Sequence, residues 1–175
     1  MRAFVITGPR QTAVADVANP AAAPGLAVVD VERAGVCGTD VEFFTGEMAY
    51  LHQGHAEYPM RPGHEWCGTV SAVGDGVDPA WLGCRVTGDT MLGCGQCRRC
   101  RSGLHHVCAD RAEIGILGGS AALAEAIRHY ASGSVDPRPL VAATVGLGQV
   151  GDVLAGARPP GSGPGPKILI DPRRA

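Results

Sequence analysis

The chain has 175 residues and a formal net charge of −2, with 15 Lys and Arg against 17 Asp and Glu, so no basic surface for nucleic acid is expected. Hydrophobic residues make up 45%, which suits a cored globular domain and excludes a disordered chain. No apolar run reaches the roughly eighteen residues of a membrane helix, and Met1–Ile6 is too short a run for a signal peptide before Gly8-Pro9 interrupts it. A cytoplasmic location is therefore expected, where seven cysteines point to metal or thiolate chemistry.

The 26 glycines and 13 prolines, with only 5% aromatics, indicate a turn-rich β protein. In chain order, 2–7 and 12–17 form two short strands around the Gly8-Pro9 turn, and the valine-rich alternation of 26–36 forms a longer one. A turn of helix follows, capped by Thr39 or Asp40. Residues 45–63 read as a loop, 66–74 as a strand closed by Gly-Asp-Gly, and 83–87 as another short strand. One helical turn fits within 98–103, while 109–119 reads equally as strand end or loop. A helix spans 121–131, capped by Ser120 and stopped by Gly133. Residues 136–139 read as extended, 140–145 as a strand, 149–157 as a helix and 167–170 as a last strand, with a Pro/Gly-rich loop over 159–166.

Cys94, Cys97, Cys100 and Cys108 stand at C-x2-C-x2-C-x7-C spacing. Four thiolates so close in one loop satisfy a tetrahedral zinc ion, and the neighbouring glycines permit the tight turns of a zinc knuckle. Two disulfides are the competing reading. Elsewhere, Gly146-Leu147-Gly148-Gln149-Val150-Gly151 has the G-x-G-x-x-G form of a dinucleotide-binding turn, with Asp171 where a ribose-binding acid would sit. One βαβ unit does not make a doubly wound sheet, so this stretch reads as a decoy.

Gly35-Val36-Cys37-Gly38-Thr39-Asp40, Pro62-Gly63-His64-Glu65, Gly83-Cys84-Arg85-Val86 and the four-cysteine knuckle occur in the order and at the spacings found in zinc-containing medium-chain alcohol dehydrogenases. The resemblance covers residues 1–119 and resumes from about 125 to 170 in the manner of that family's C-terminal catalytic segment. The Rossmann domain that separates the two segments in the family has no counterpart between them. The resemblance thus implies a mainly β (α+β) fold with peripheral helices, a GroES-like, partly open β-barrel. A single catalytic domain over 1–175 is expected, with an N-terminal segment 1–119, a zinc lobe over 92–110 and a C-terminal segment 120–175.

By the same resemblance, Cys94, Cys97, Cys100 and Cys108 hold a structural zinc ion, and Cys37 and His64 are two ligands of a catalytic one. Glu65 is expected beside that metal, as a ligand or next to one. Asp40, His52, His55, Glu57, Glu65 and Glu113 are candidates for the missing third ligand. Thr39 matches the hydroxyl that passes a proton, and Glu42 replaces the histidine of the usual relay. His55 and Glu57, on the loop before Pro62, are candidate acid/base groups. Cys67 and Cys84 read as core thiols, and His105 and His106 as solvated loop residues.

Without a Rossmann domain, use of NAD(P) by the chain alone is not expected. The sequence then suggests a zinc-dependent, non-redox enzyme of lyase, hydrolase or cyclisation/enolisation type, acting on a small carbonyl- or hydroxyl-bearing metabolite of specialised metabolism. The alternatives are a non-catalytic zinc-stabilised scaffold, or half of a split NAD(P)-dependent alcohol dehydrogenase. A homo-oligomer is expected through the surface that the Rossmann domain covers in the family, with neither nucleic acid nor membrane as partner.

Overall fold

The computed structural model describes residues 1–88, 91–110, 112–113 and 123–174. The chain forms two compact units, one of Met1–Gly88 with Val141–Ala175 and the other of Asp89–Leu140.

The first unit is built from strands. β1 (Arg2–Gly8) and β2 (Gln11–Asp16) form an antiparallel hairpin. Its turn puts Arg10 at φ 58°, a conformation that L residues rarely adopt. β3 (Ala27–Gly35), β4 (Trp66–Val73), β5 (Arg85–Thr87), β8 (Val141–Val145) and β9 (Lys167–Ile170) make a five-stranded sheet in the order β5-β4-β3-β9-β8. All pairs are antiparallel except β8 and β9, which run parallel. The C-terminal segment therefore supplies an inner strand, β9, next to β3. The expectation of a mainly β fold holds.

The helices are short. α1 (Gly38–Thr45) starts directly after β3. Its N-cap is Cys37, where the sequence suggested Thr39 or Asp40. The reason is that Asp40, three residues on, turns its carboxylate back to accept the Cys37 N–H at 2.9 Å. Gly46 ends α1 in the left-handed conformation, at φ 86°. The stretch read as a loop contains a further turn of helix, α2 (Ala49–His52). α5 (Val150–Leu154) is shorter than the sequence suggested, and a 3₁₀ turn over Leu147–Gln149 precedes it.

One apolar cluster ties the hairpin, α1 and α5 together. Ile6, Phe44, Val150 and Leu154 are all buried, with Phe4, Val36, Phe43, Met60 and Ile170 packed against them. Each fully buried side chain of this size contributes roughly 1.5–3 kcal/mol. Phe4, Val36, Val150 and Ile170 also face a cavity. Ala3, Ala34, Gly35, Gly63, Ser71 and Ala72 help to line that cavity of about 880 Å³, which also reaches Asp40.

In the second unit, β6 (Met91–Leu92) pairs antiparallel with β7 (Ala112–Glu113). α3 (Arg98–Arg101) lies between them in the chain. α4 (Leu123–Ala131) follows and is stopped by Gly133 at φ 73°. Its expected cap, Ser120, lies outside the described residues, as does most of 109–119. Residues 138–140 form a 3₁₀ turn, where an extended segment was expected. Asp136 accounts for it, because its carboxylate accepts both the backbone N–H of Arg138, at 3.0 Å, and its guanidinium, at 2.8 Å.

Candidate metal centre

The four cysteines of the second unit converge. Cys94, Cys97, Cys100 and Cys108 present their sulphurs within 4.8 Å of one another, and all are free thiols. Cys94 Sγ lies 4.0 Å from Cys100 Sγ, and Cys97 Sγ lies 3.8 Å from Cys108 Sγ. A disulfide needs about 2.05 Å. A tetrahedral zinc with Zn–S bonds near 2.3 Å sets its sulphurs about 3.8 Å apart, so the residues fit zinc. α3 begins at Cys97, whose sulphur accepts the N–H of Cys100 at 3.5 Å. The Cys94 sulphur accepts the N–H of Cys97 at 3.3 Å. Donors of this kind, first among them the backbone N–H of Gln96, pull the Cys94 thiol down to about 7. Gly93 is required by close approach, since a Cβ there would lie 2.7 Å from Cys100 Sγ and 2.9 Å from His105 Cβ. His105 and His106 are half-buried rather than solvated, and His106 Nδ1 is buried with no hydrogen-bond partner among the described residues.

The first unit carries a second group. Cys37, at the junction of β3 and α1, meets His64, which lies just ahead of β4. Cys37 Sγ and His64 Nε2 are 3.3 Å apart, close to the roughly 3.5 Å expected of a thiolate and an imidazole on one tetrahedral zinc. Asp40 completes the group, its carboxylate lying within 4.8 Å of both. Asp40 is 5% exposed and Thr39 7%. Burial, the largest effect, pushes the Cys37 thiol up, as does the charge of Asp40, while the Asp40 N–H and the Thr39 hydroxyl bond to the sulphur and pull the other way. A thiolate, an imidazole and a carboxylate suit zinc.

The remaining candidates lie elsewhere. Glu65 is outside the Cys37–Asp40–His64 group, and both of its carboxylate oxygens accept from Lys167 Nζ at 2.8 Å. His55 and Glu57 are exposed and also outside the group. His55 packs edge-on against Tyr50, with ring centroids 6.2 Å apart. His52 Nε2 donates to the Gly46 carbonyl at 3.0 Å. The side chain of Glu113 lies outside the described residues. Cys67 is half-buried, but Cys84 is exposed and donates to Ala80 O at 3.3 Å, so it is not a core thiol.

The glycine-rich turn at 146–151 serves packing. Leu147 and Val150 are buried, and Gln149 Oε1 accepts the Gly146 N–H at 3.3 Å. Asp171, the would-be ribose acid, is 6% exposed and already holds three guanidinium groups, Arg33 at 2.8 Å, Arg173 at 3.0 Å and Arg174 at 3.8 Å.

Residues 23–139 match the alcohol dehydrogenase GroES-like domain family. The chain belongs to this family. It is 36% identical over 116 residues to the starvation-sensing protein RspB of Escherichia coli strain K12, an alignment covering 66% of this chain and 33% of RspB. It is 38% identical over 89 residues to the L-threonine 3-dehydrogenase of Francisella tularensis subsp. novicida, covering 51% of this chain and 25% of that enzyme. Among solved structures, the alcohol dehydrogenase RspB of E. coli CFT073 complexed with NADH superposes with a TM-score of 0.56 at 35% identity, covering 68% of this chain and 34% of that one. The alcohol dehydrogenase TADH of Thermus sp. ATN1 superposes with a TM-score of 0.57 at 25% identity, covering 97% of this chain and 57% of that one. The chain thus spans about a third of RspB's length.

These relatives overturn one expectation. Three of them are named as dehydrogenases, and RspB of E. coli CFT073 carries NADH, so the non-redox lyase, hydrolase or cyclisation reading is withdrawn. That reading took the lack of a cofactor domain within the chain as a change of chemistry. A zinc site that polarises oxygen serves hydride transfer equally well, so the lack of that domain says nothing about the reaction.

Proposed function

We propose that this chain is the zinc-binding catalytic part of an NAD(P)-dependent dehydrogenase of small hydroxyl-bearing molecules, and that it works with a nicotinamide-binding domain. The observation that carries the reading is the convergence of Cys37, Asp40 and His64 in a chain whose relatives are named as dehydrogenases. Cys37, His64 and Asp40 would hold one zinc ion, and the four cysteines another. In the first position zinc supplies Lewis acidity toward a hydroxyl or carbonyl oxygen. The second is closed by its four thiolates and holds the local fold.

The chain's own residues supply the rest. Asp40 fixes the entry to α1 by accepting the Cys37 N–H, and so aims the thiol at His64. Thr39 sits beside the Cys37 sulphur with its hydroxyl largely shielded from solvent, where it can pass a substrate proton outward.

Zinc content and turnover test the reading together. The purified chain should hold two zinc ions. It should oxidise small alcohols with NAD(P)⁺ only when a separately expressed Rossmann domain, such as that of RspB, is added. Cys37→Ala should abolish this turnover and leave one zinc. A single zinc in the unaltered chain, or turnover that survives Cys37→Ala, would overturn it.

A further inference from the structure

The cavity of the first unit is not used by the metal group beyond its contact with Asp40. Its volume of about 880 Å³ falls within the roughly 300–1,000 Å³ of sites that hold small molecules. Phe4, Val29, Trp66, Val150, Leu154 and Ile170 give it apolar walls. Among the described residues, Arg2, Asp30, Asp40, Arg61 and Arg173 are the charged side chains that line it. Three of these are committed elsewhere. Asp40 accepts the Cys37 N–H, Asp30 accepts from the Ser71 hydroxyl at 2.9 Å, and Arg173 donates to Asp171 at 3.0 Å. Arg2 and Arg61 are exposed, and neither has an ion-pair partner among the described residues. Arg2 does not pair even with Asp16, which stands opposite it in the β1–β2 register.

The two arginines belong to one end of the cavity. An antiparallel bridge joins Ile6 to Met60, so the segment after Met60 runs back beside the part of β1 that precedes Ile6. Arg61 and Arg2 therefore fall on the same side of that bridge. Arg2 also shares its face of β1 with Phe4, two residues on, which lines the cavity. Apolar walls with two unneutralised guanidiniums at the edge suit one class of ligand. The walls take an apolar body out of water, and a guanidinium presents a fork of donors that matches a carboxylate. The chain's net charge of −2 gives no attraction to an anionic bilayer, so such a ligand is taken from solution. We propose that this cavity binds a free fatty acid, with its chain along the apolar walls and its carboxylate at the Arg2 and Arg61 end. The proposal goes beyond the dehydrogenase reading and does not depend on it.

Tryptophan fluorescence of the whole chain provides the test. Trp66 lines the cavity, whereas Trp81 does not and is 52% exposed. These are the chain's two tryptophans, so Trp81→Phe leaves one reporter, on the cavity wall. Bromine on an acyl chain quenches only a ring that it touches. ω-Bromododecanoate, ionised and below its micelle concentration, should quench Trp66 saturably. The corresponding bromoalcohol should bind about tenfold more weakly, the effect of one lost charge-assisted hydrogen bond. Arg2→Gln with Arg61→Gln should weaken binding of the acid by about as much and leave that of the alcohol unchanged. Quenching that does not saturate, equal affinity for acid and alcohol, or an acid affinity unchanged in the arginine variant would overturn the proposal. So would a Trp66 shielded from the bromoacid in a chain that sediments as a dimer, which would assign this face to a second copy. None of these readouts involves zinc or turnover, so the dehydrogenase reading stands or falls separately.

Discussion

Cys37 Sγ and His64 Nε2 lie 3.3 Å apart although 27 residues separate them in the chain. β3 delivers one and the approach to β4 the other, and β3 and β4 are paired, with Ala34 opposite Trp66. The sheet register brings the two donors together, so removing either should spare the fold. Cys37→Ser or His64→Ala is expected to reduce the zinc content by one per chain, with the far-ultraviolet circular dichroism unchanged. Elemental analysis of the dialysed variants checks this.

Asp40 shares one carboxylate between the Cys37 N–H and the metal group. Asp40→Asn keeps the shape and removes the charge. Its zinc affinity at this site should fall by at least about 10–100-fold, the range found when a carboxylate that only supports a ligand is lost. Competition with a chromogenic chelator measures it.

Leu154 and Val150 are 3% and 2% exposed and belong to the cluster that contains Ile6 and Phe44. The C-terminal segment is therefore part of the core. Leu154→Ala should cost about 2–5 kcal/mol, read as a lower urea midpoint with the slope retained.

Asp171 accepts hydrogen bonds from Arg173, and its carboxyl is held below the usual range by those bonds first and then by the charges of Arg173 and Arg33. A folded-state value below the unfolded one means that the contribution is present above the unfolded value of about 3.9 and is lost as pH falls through the folded value. Asp171→Asn should melt at a lower temperature than the unaltered chain at pH 7. The two curves should converge as pH falls well below 4. Thermal melts across that interval decide it.

How much of this was legible in the sequence depended on distance along the chain. The knuckle was, because its four ligands lie within fifteen residues and thiol spacing alone defines the site. β9 matched its expected limits, Lys167–Ile170, since Pro166 and Pro172 fence it. Cys37 and His64 came from resemblance, and the sequence could not choose Asp40 from six candidate ligands. That choice depends on Cys37 acting as an N-cap, a role that cysteine composition does not announce. The Glu65–Lys167 pair was not legible. It joins residues 102 positions apart, and only the β3–β9 register brings them together. The turn at 138–140 was missed because proline content suggested extension while the Asp136 side chain folded the backbone back.

β9 lies between β3 and β8, so the five-stranded sheet cannot be completed until residue 170 has been synthesised. Until then Ala34 and Gly35, the end of β3 that β9 pairs, lack that partner while the ribosome adds more than a hundred further residues. Pairing across such a span slows folding, and an open edge invites pairing with other nascent chains. Production of this protein should therefore depend on chaperones and low temperature more than its modest size suggests.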